Sequence, residues 1–423
     1  MKFNRRRFLQ AFGALAAVSL SPTIVKAASS PRVVVVGGGF AGATAAKYLR
    51  MWSGNSIDVT LIDPKASHTS CVLSNLVLNG RITLNELKMS YGSLKSFYGV
   101  NVVRDQVVSI DVAGRQVKLK SDPTGPGISY DHLIVATGIS FNKPKGVDFK
   151  KTPHAWIAGS QTNLLASKVR GMSAGDTFVM TIPKAPYRCP PGPYERACLV
   201  ADILKRKGGG KVTVLDANPS IQAERHTFER AFTGIYGEIV EYTPNAAVGE
   251  VVPDEGKVIT GFGDYSGDVV NIIAPQRALG FVREAGLTGG GNWAGVDPLT
   301  YSSTVSGQGY EAIHIIGDSQ GTNQPKSAHM ANAQAKICAD AIIRTVAGLD
   351  NRADERVKNI TTNSACYSPI TYDEASWLTA NYAYDEATGQ MQGVHVGEAE
   401  EWSRENYDEM FAWASNLFTD TFH

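Results

Sequence analysis

The stretch RVVVVGGGFAG, residues 32–42, decides the fold of this chain. Its β-branched run predicts a short strand buried on both faces, and small residues after it open a helix. Gly37, Gly39 and Gly42 complete a Gly-x-Gly-x-x-Gly fingerprint. In such a turn the first glycine reverses the chain, the second lets the backbone approach a pyrophosphate, and the third lets helix and strand pack closely. The sequence therefore predicts a dinucleotide-binding fold.

Three later segments carry further signals of a dinucleotide site. A second strand, 57–62, ends in an acid about 20 residues after the fingerprint, where a carboxylate accepts ribose hydroxyls. The strands within 130–138 and 311–318 run into Ala-Thr-Gly and Gly-Asp, and both resemble the secondary FAD signatures of glutathione-reductase-like flavoproteins. That resemblance implies FAD as the cofactor, with its ribitol chain bound by Asp318. The residues expected to bind FAD in these segments are Asp63, Ala136, Thr137, Gly138, Gly317 and Asp318.

A second nucleotide fold follows in altered form. Residues 175–182 and 211–216 predict two parallel strands, but the turn after the first reads PKAPYRCPPGPYER, residues 183–196. Proline has no N–H to offer a phosphate, so this turn cannot form the anion-binding nest of a pyrophosphate site. We therefore expect no NAD(P)H site. Electrons must enter from another donor, and Cys189 in this turn is the candidate.

Composition and spacing argue against several other chemistries. The 423 residues carry 41 basic and 40 acidic side chains, without the basic excess that nucleic-acid binding requires. No segment has the roughly 18 consecutive apolar residues of a membrane helix, so no transmembrane segment is predicted. There is no Cys-x-x-Cys-His motif, so we expect no haem on this chain. The eight histidines show no ligand spacing, so no metal site is predicted.

Three of the five cysteines lie in motifs that resemble the flavoprotein subunit of flavocytochrome c sulfide dehydrogenase. The motifs are TSCVLSN at 69–75, CPPGPYER at 189–196 and ACYS at 365–368. The likeness extends over the whole chain after its N-terminal segment, and the sulfide:quinone oxidoreductases are more distant relatives. The resemblance implies a redox disulfide between Cys189 and Cys366 beside the flavin ring, and a thioether that joins Cys71 to the flavin 8-methyl group.

Each of these assignments has an alternative. A disulfide between Cys189 and Cys366 could be purely structural in an exported protein, but a flavin without NAD(P)H needs another two-electron donor, which favours the redox role. From the residues alone, Cys71 could equally be a buried free thiol, and it is the family match that favours the tether. Cys198 and Cys338 lie in predicted helices among apolar neighbours and are expected to be core residues.

Two charged residues are further candidates. Glu195, shortly after Cys189, could take a proton from hydrogen sulfide, or simply favour the N-terminus of its helix. Lys326 would place a positive charge at the pyrimidine end of the flavin and stabilise its reduced anion, or would be a solvated lysine. Residues 275–277 also match the family and are expected to pass close to the flavin.

The first residues predict export. Arg5–Arg7 precede Phe-Leu, a modest apolar run and small residues up to Ala28, which is the layout of a signal peptide of the twin-arginine type. The alternatives are a basic N-terminal tail and an uncleaved anchor. Export by this route would deliver the folded protein to the periplasm. Cleavage would also remove five basic residues and leave a mildly acidic protein.

The chain is thus expected to be an α/β protein with two Rossmann-like folds, the second lacking a nucleotide fingerprint, and a smaller C-terminal α+β unit. The predicted domains are the signal peptide, 1–28, the FAD-binding domain, 29–150 and 279–350, the inserted second domain, 151–278, and a C-terminal domain that covers the flavin and forms an interface, 351–423.

The resemblance implies that the protein oxidises hydrogen sulfide through the disulfide and FAD, and passes single electrons to a c-type cytochrome subunit in a heterodimer. One alternative is a membrane-peripheral sulfide:quinone oxidoreductase. Its membrane-docking helices would be basic on the polar face, and acidic residues of the tail such as Glu398, Glu405 and Asp408 argue against that. Another alternative is a non-catalytic flavoprotein partner of a periplasmic sulfur-oxidation complex.

Overall fold

A computed structural model describes residues 30–423, and the predicted signal peptide, 1–28, lies outside the described residues. The strands, in chain order, are β1 Arg32–Val36, β2 Asp58–Ile62, β3 Ser67–Thr69, β4 Lys88–Ser90, β5 Asn101–Val103, β6 Val107–Asp111, β7 Gln116–Leu119, β8 Ile128–Ser129, β9 His132–Val135, β10 Ser140–Phe141, β11 Thr177–Ile182, β12 Lys211–Asp216, β13 Val240–Thr243, β14 Val248–Val252, β15 Lys257–Thr260, β16 Gly263–Ser266, β17 Val269–Ile272, β18 Gln276–Arg277, β19 Ile313–Ile315, β20 Thr361–Pro369, β21 Ala375–Asp385 and β22 Gln390–Glu398. The α-helices are α1 Phe40–Trp52, α2 Gly92–Ser96, α3 Ser160–Gly171, α4 Gly192–Arg206, α5 Arg225–Arg230, α6 Gly280–Glu284, α7 Ala328–Val346, α8 Asp354–Val357 and α9 Arg404–Phe422.

The fingerprint strand lies at the centre of a parallel sheet. Its order is β19-β9-β1-β2-β5, and every neighbouring pair is parallel. The valines of β1 are at most 4% exposed, as expected for a strand covered on both faces. Because the strands are parallel, their carboxyl ends share one edge. The fingerprint turn, Asp63 and the segments after β9 and β19 all follow that edge.

The second predicted nucleotide fold is also a parallel sheet, in the order β13-β12-β11-β17. The proline-rich segment connects β11 to α4, the position of a phosphate-binding turn in such a fold. The two sheets are linked where β10 pairs with β18 in antiparallel fashion. These two parallel sheets confirm the predicted α/β class with two Rossmann-like folds.

The C-terminal part combines a three-stranded antiparallel sheet, β20-β21-β22, with helix α9. Strand β20 packs against α7 of the first fold and α4 of the second. Helix α9 lies on α1, where the Lys47 ammonium donates to the carbonyl of Asp420 at 2.8 Å. This packing carries Cys366, on β20, to the region between the two parallel sheets. The domain boundaries given above stay predictions.

No helix within residues 30–423 combines the length and the apolar character that a membrane crossing requires.

Candidate functional site

The three fingerprint glycines occupy positions where a side chain would not fit or would block a ligand. Gly37 has φ +102°, and a Cβ there would lie 2.5 Å from the carbonyl oxygen of Ala136. A Cβ on Gly42 would lie 1.8 Å from the carbonyl oxygen of Gly37. Gly39 caps the N-terminus of α1, and a Cβ there would contact the His68 ring at 3.6 Å, an ordinary van der Waals distance. The turn is therefore built for close backbone approach by an anion at a helix N-terminus.

Asp63 is held at the wall of the same turn. Its Oδ2 accepts from the Gly38 amide at 2.7 Å, and its Oδ1 accepts from the Lys65 amide at 2.8 Å. Tyr91 donates its hydroxyl to the Gly38 carbonyl at 3.1 Å. These bonds fix the carboxylate where sequence reasoning expects ribose hydroxyls, and each oxygen retains a lone pair to accept them.

The two secondary segments converge on the fingerprint turn. Gly138 and Gly317 both have φ +70°, and the Gly317 amide donates to Gln334 Oε1 at 2.9 Å. The Ser319 hydroxyl donates to the Gly138 carbonyl at 2.6 Å and lies 3.1 Å from the Thr137 hydroxyl. The ends of β9 and β19 are thus locked to each other at the carboxyl edge of the first sheet.

These elements surround a cavity with about 860 Å³ of empty space, called here the nucleotide cavity. All of the predicted FAD residues line it except Gly42 and Lys326, and His68 and Arg188 line it as well. His68 Nε2 and Arg188 Nη2 are buried there without a hydrogen-bond partner in the described part of the chain. Buried polar atoms normally have partners, so these two, with the glycine cradle, fit a bound dinucleotide.

A second cavity, with about 750 Å³ of empty space, is called here the cysteine cavity. It brings together Cys71, Cys189 and Cys366, which are far apart in sequence. The two cavities share a wall, which consists of Cys71, Arg188, Ser327 and Ala328. All five thiols are free in this structure. Cys198 and Cys338 are fully buried in separate hydrophobic clusters and line neither cavity, as expected for core residues.

The proline-rich segment is held rigidly at Cys189. This residue has φ +57°, a conformation that is uncommon outside glycine, and its amide donates to the Lys326 carbonyl at 2.7 Å. On its N-terminal side, the Arg188 amide donates to Gln276 Oε1 at 2.8 Å. Below the thiol, a Cβ added to Gly192 would lie 2.8 Å from Sγ. Gln276 belongs to the segment 275–277 that was expected near the flavin.

Cys366 lies on β20 with serines two residues away on either side. Alternate residues of a strand face the same side, so Ser364, Cys366 and Ser368 share one face. The Ser364 hydroxyl lies 2.7 Å from that of Ser327, and the Ser368 hydroxyl donates to Glu224 Oε2 at 2.5 Å. The strand is therefore anchored on both sides of the thiol.

Burial dominates the electrostatics of the three thiols. It raises the pKa of Cys189 well above its ordinary value, and ionisation of Cys366 or Glu195 would raise it further. Burial also raises the pKa of Cys366 to about 12 and raises the pKa of Cys71, against which the positive charge of Arg188 acts. In the dithiol state the cavity therefore holds neutral thiols at pH 7.

Glu195 lies in the first turn of α4, as one of its expected roles requires, and it also lines the cysteine cavity; its role as a base stays a prediction. Burial raises its pKa to about 8, although the hydrogen bond from Asn75 and the charge of Arg196 lower it. A carboxyl with a pKa near the working pH suits proton exchange. Asn75 and Arg196 lie inside the motifs quoted above, but nothing in the sequence indicated their contact with Glu195.

Lys326 is not a solvated lysine. It is 3% exposed, and its ammonium donates to the carbonyl of Asp318 at 2.9 Å and to that of Gln320. It also lies 3.9 Å from the centroid of the Trp293 ring. Burial lowers its pKa to about 8. Its side chain lines neither cavity, so its contact with a flavin stays a prediction.

Arg188 is a functional candidate that the sequence reasoning missed. Its side chain is 13% exposed, lines both cavities and lies 3.8 Å from the Asp318 carboxylate. Its position directly before Cys189 was the only available signal.

The arrangement as a whole, a dinucleotide cavity joined to a cysteine cavity, defines an FAD-dependent oxidoreductase of the disulfide oxidoreductase type.

Comparison with known proteins specifies that class. The family model described as pyridine nucleotide-disulphide oxidoreductase matches residues 31–167, and the one described as sulfide dehydrogenase [flavocytochrome c] flavoprotein chain, central, matches residues 162–274. The sulfide dehydrogenase [flavocytochrome c] flavoprotein chain of Chlorobaculum thiosulfatiphilum is 59% identical over 46 residues, 11% of this chain and 94% of that sequence. These matches support an FAD protein similar to the flavoprotein chains of flavocytochrome c sulfide dehydrogenase.

Two full-length likenesses are more distant. Ferroptosis suppressor protein 1 of Taeniopygia guttata is 24% identical over 393 residues, covering 87% of this chain and 90% of that protein. The sulfide:quinone oxidoreductase of Aquifex aeolicus superposes with a TM-score of 0.74 over 93% of this chain and 92% of that one, at 17% identity. At that identity the second likeness is one of fold.

Proposed function

We propose that this protein oxidises sulfide with the Cys189–Cys366 pair, delivers the electron pair to FAD, and passes single electrons to a c-type cytochrome subunit. The observation that carries the proposal is the shared wall of the two cavities: Cys71 lines both, while Cys189 and Cys366 line the adjoining cysteine cavity. The proline-rich segment supports it further, because this segment takes the position of a nicotinamide phosphate turn and holds Cys189 instead.

The chemistry begins with the oxidised pair. Hydrosulfide attacks one sulfur, a sulfur–sulfur bond to the substrate forms, and the Cys189–Cys366 bond breaks with a thiolate as leaving group. Glu195, at the cavity wall, takes the proton when hydrogen sulfide is the entering species. When the persulfide and the thiolate re-form the Cys189–Cys366 bond, they lose two electrons and a proton, and zero-valent sulfur is released or passed on.

FAD, when bound, supplies the acceptor of that electron pair and returns electrons one at a time. The residues proposed to hold it are those of the nucleotide cavity, with Cys71 as a covalent tether at the shared wall. Lys326 and Arg188 place positive charge beside Asp318, which suits a cofactor that becomes anionic on reduction. The proposal includes no NAD(P)H site and no haem on this chain, and a periplasmic location.

An anaerobic titration with sulfide tests the proposal, run on the wild type, Cys189→Ser and the matched control Cys198→Ser. The wild type and the control should lose flavin absorbance with a stoichiometric end point, whereas Cys189→Ser should keep the oxidised spectrum. A wild type that sulfide does not bleach would refute the proposal and favour the non-catalytic flavoprotein partner.

The electron acceptor is tested separately. Residues on the exposed surface of α9 include Glu405, Asp408 and Glu409, which do not favour an anionic membrane surface. We therefore expect sulfide-dependent reduction of a c-type cytochrome to be faster than reduction of a soluble quinone analogue. The second candidate function is that of a sulfide:quinone oxidoreductase, because the chain shares the fold of such an enzyme. Faster reduction of the quinone analogue would favour it.

The tether has its own test. Mass spectrometry of the denatured protein should find the flavin mass retained on the chain and lost in Cys71→Ser. Release of free FAD from the denatured wild type would refute the thioether.

A further inference from the structure

Asn75 sits beside Glu195 at the wall of the cysteine cavity, and both ends of its side-chain amide are engaged. Arg196 Nε donates to Asn75 Oδ1 at 3.0 Å. In the other direction, Asn75 Nδ2 donates to the Gly192 carbonyl at 3.2 Å and to Glu195 Oε1 at 3.1 Å. Asn75 is 8% exposed, so its bonds form away from bulk water.

The chemistry of these partners permits one orientation of the amide. A guanidinium only donates and a backbone carbonyl only accepts. If the amide of Asn75 were rotated by half a turn, its NH₂ would face the N–H of Arg196 and its oxygen would face the Gly192 carbonyl. Both contacts would then be unsatisfied in a buried place, which is costly. The NH₂ group is therefore directed at Glu195.

This orientation determines which oxygen of Glu195 can exchange a proton. Oε1 must accept from Asn75, so a proton bound by the carboxyl resides on Oε2. We infer that Asn75 is a positioning residue for the proposed sulfide oxidation, on which this inference rests: it directs proton uptake at Glu195 to Oε2, the oxygen left to the cysteine cavity. Glu195 and Cys189 line that cavity together.

The positioning is rigid because Arg196 is itself anchored. Its Nη1 donates to the carbonyl of His154 at 3.0 Å and to Asn271 Oδ1 at 2.9 Å, and its Nη2 donates to the carbonyl of Ala155 at 2.7 Å. The guanidinium also stacks on Trp156, 4.8 Å from the ring centroid. Arg196 cannot turn away from Asn75 without losing these bonds.

Asn75 also connects the base to the proposed flavin tether. It lies in the 3₁₀ turn Ser74–Val77, which follows Cys71 after Leu73 at φ +65°. This turn packs against α4, the helix that bears Glu195. One short segment therefore carries both Cys71 and the residue that orients the carboxyl.

The test compares Asn75→Leu and Asn75→Asp with the wild type, Glu195→Gln and the control Asn79→Leu. Asn79 lies in the same segment and bonds the Arg81 amide, not Glu195. The first measurement is the pH dependence of flavin reduction by sulfide in anaerobic stopped flow. Ionisation of sulfide itself is common to all variants, so differences between their pH profiles arise from ionisable groups of the protein.

In Asn75→Leu the loss of a hydrogen bond to the carboxylate should move the ascending, acidic limb of the profile about one pH unit upward, with rates about tenfold lower below it. Asn75→Asp keeps an acceptor for Arg196 but sets a second carboxylate against Oε1, so its limb should move further in the same direction. Asn79→Leu should follow the wild type. A uniform fall in rate at all pH values, with the limb unmoved, would overturn the inference.

An infrared titration gives a readout that does not require sulfide oxidation. The carboxylic C=O band that is absent in Glu195→Gln reports the protonation of this residue, and its midpoint should rise in both Asn75 variants. If sulfide fails to reduce the wild-type flavin but the band shifts, the proposed function fails and the positioning role stands. If sulfide reduces the flavin and the midpoint is unchanged in the variants, the positioning role fails alone.

Discussion

The replacement Arg196→Met perturbs the most buried charge of the site. Arg196 is 1% exposed and donates hydrogen bonds to Asn75, His154, Asn271 and Ala155, between 2.7 and 3.0 Å. Methionine has a similar length and offers no donor. Four bonds from a charged group, at about 1.5 kcal/mol each, correspond to a loss of roughly 6 kcal/mol.

The burial of the guanidinium opposes this loss. Burial lowers the pKa of Arg196 from 12.5 to about 10, and this difference corresponds to roughly 3 kcal/mol that methionine recovers. The balance is a free energy of unfolding lower by roughly 3 kcal/mol, at the lower end of what removal of one partner from a buried ionic network costs.

Thermal unfolding of the FAD-loaded protein at pH 7, followed by circular dichroism, measures the effect. For a cooperative unit of roughly 150–250 residues, roughly 3 kcal/mol corresponds to a Tm lower by roughly 6–12 °C. The control is Arg206→Met in the same helix, where a half-exposed guanidinium pairs with Asp202 at 2.9 Å and little stability is at stake. If the Tm values of the two variants lie within about 2 °C of each other, the hydrogen bonds of Arg196 do not stabilise the fold by the amount given above.

Two further predictions concern other parts of the site. Burial raises the pKa of Glu224 from 4.5 to about 7, so the folded protein keeps a proton that the unfolded chain releases. The free energy of unfolding should therefore fall by up to roughly 3 kcal/mol as pH rises from about 4.5 to 7. Urea unfolding at a series of pH values should show this fall in the wild type and a smaller one in Glu224→Gln. If the two proteins show the same dependence on pH, the prediction is wrong. In Gly42→Ala the new Cβ would lie 1.8 Å from the Gly37 carbonyl oxygen, so flavin content per protein should drop severalfold. Gly171→Ala, with nothing within 4 Å, should load fully, and equal flavin in both would refute the packing argument.

Much of the fold could be predicted from sequence because its signals are local. The roles of Gly37 and Gly42 depend on backbone conformation and neighbours in a single strand–turn–helix unit, and the structure places them as expected. The altered second turn was equally readable, because proline removes an N–H wherever it stands. Parallel strands bring their carboxyl ends to one edge of a sheet, and the residues that follow that edge line the nucleotide cavity.

The sequence by itself thus determined the two Rossmann-like folds and the proline-rich turn of the second one, and through family motifs it predicted the three cysteines of interest. Only the tertiary structure decided how these groups act together. Glu195 and Asn75 are 120 residues apart, and their hydrogen bond exists because α4 packs on the turn after Cys71. Likewise, nothing local distinguishes a solvated Lys326 from a buried one, since burial depends on which carbonyls the rest of the fold places around its ammonium. Backbone conformation is dictated by near neighbours, whereas protonation and orientation are dictated by whatever lies within a few ångströms in space.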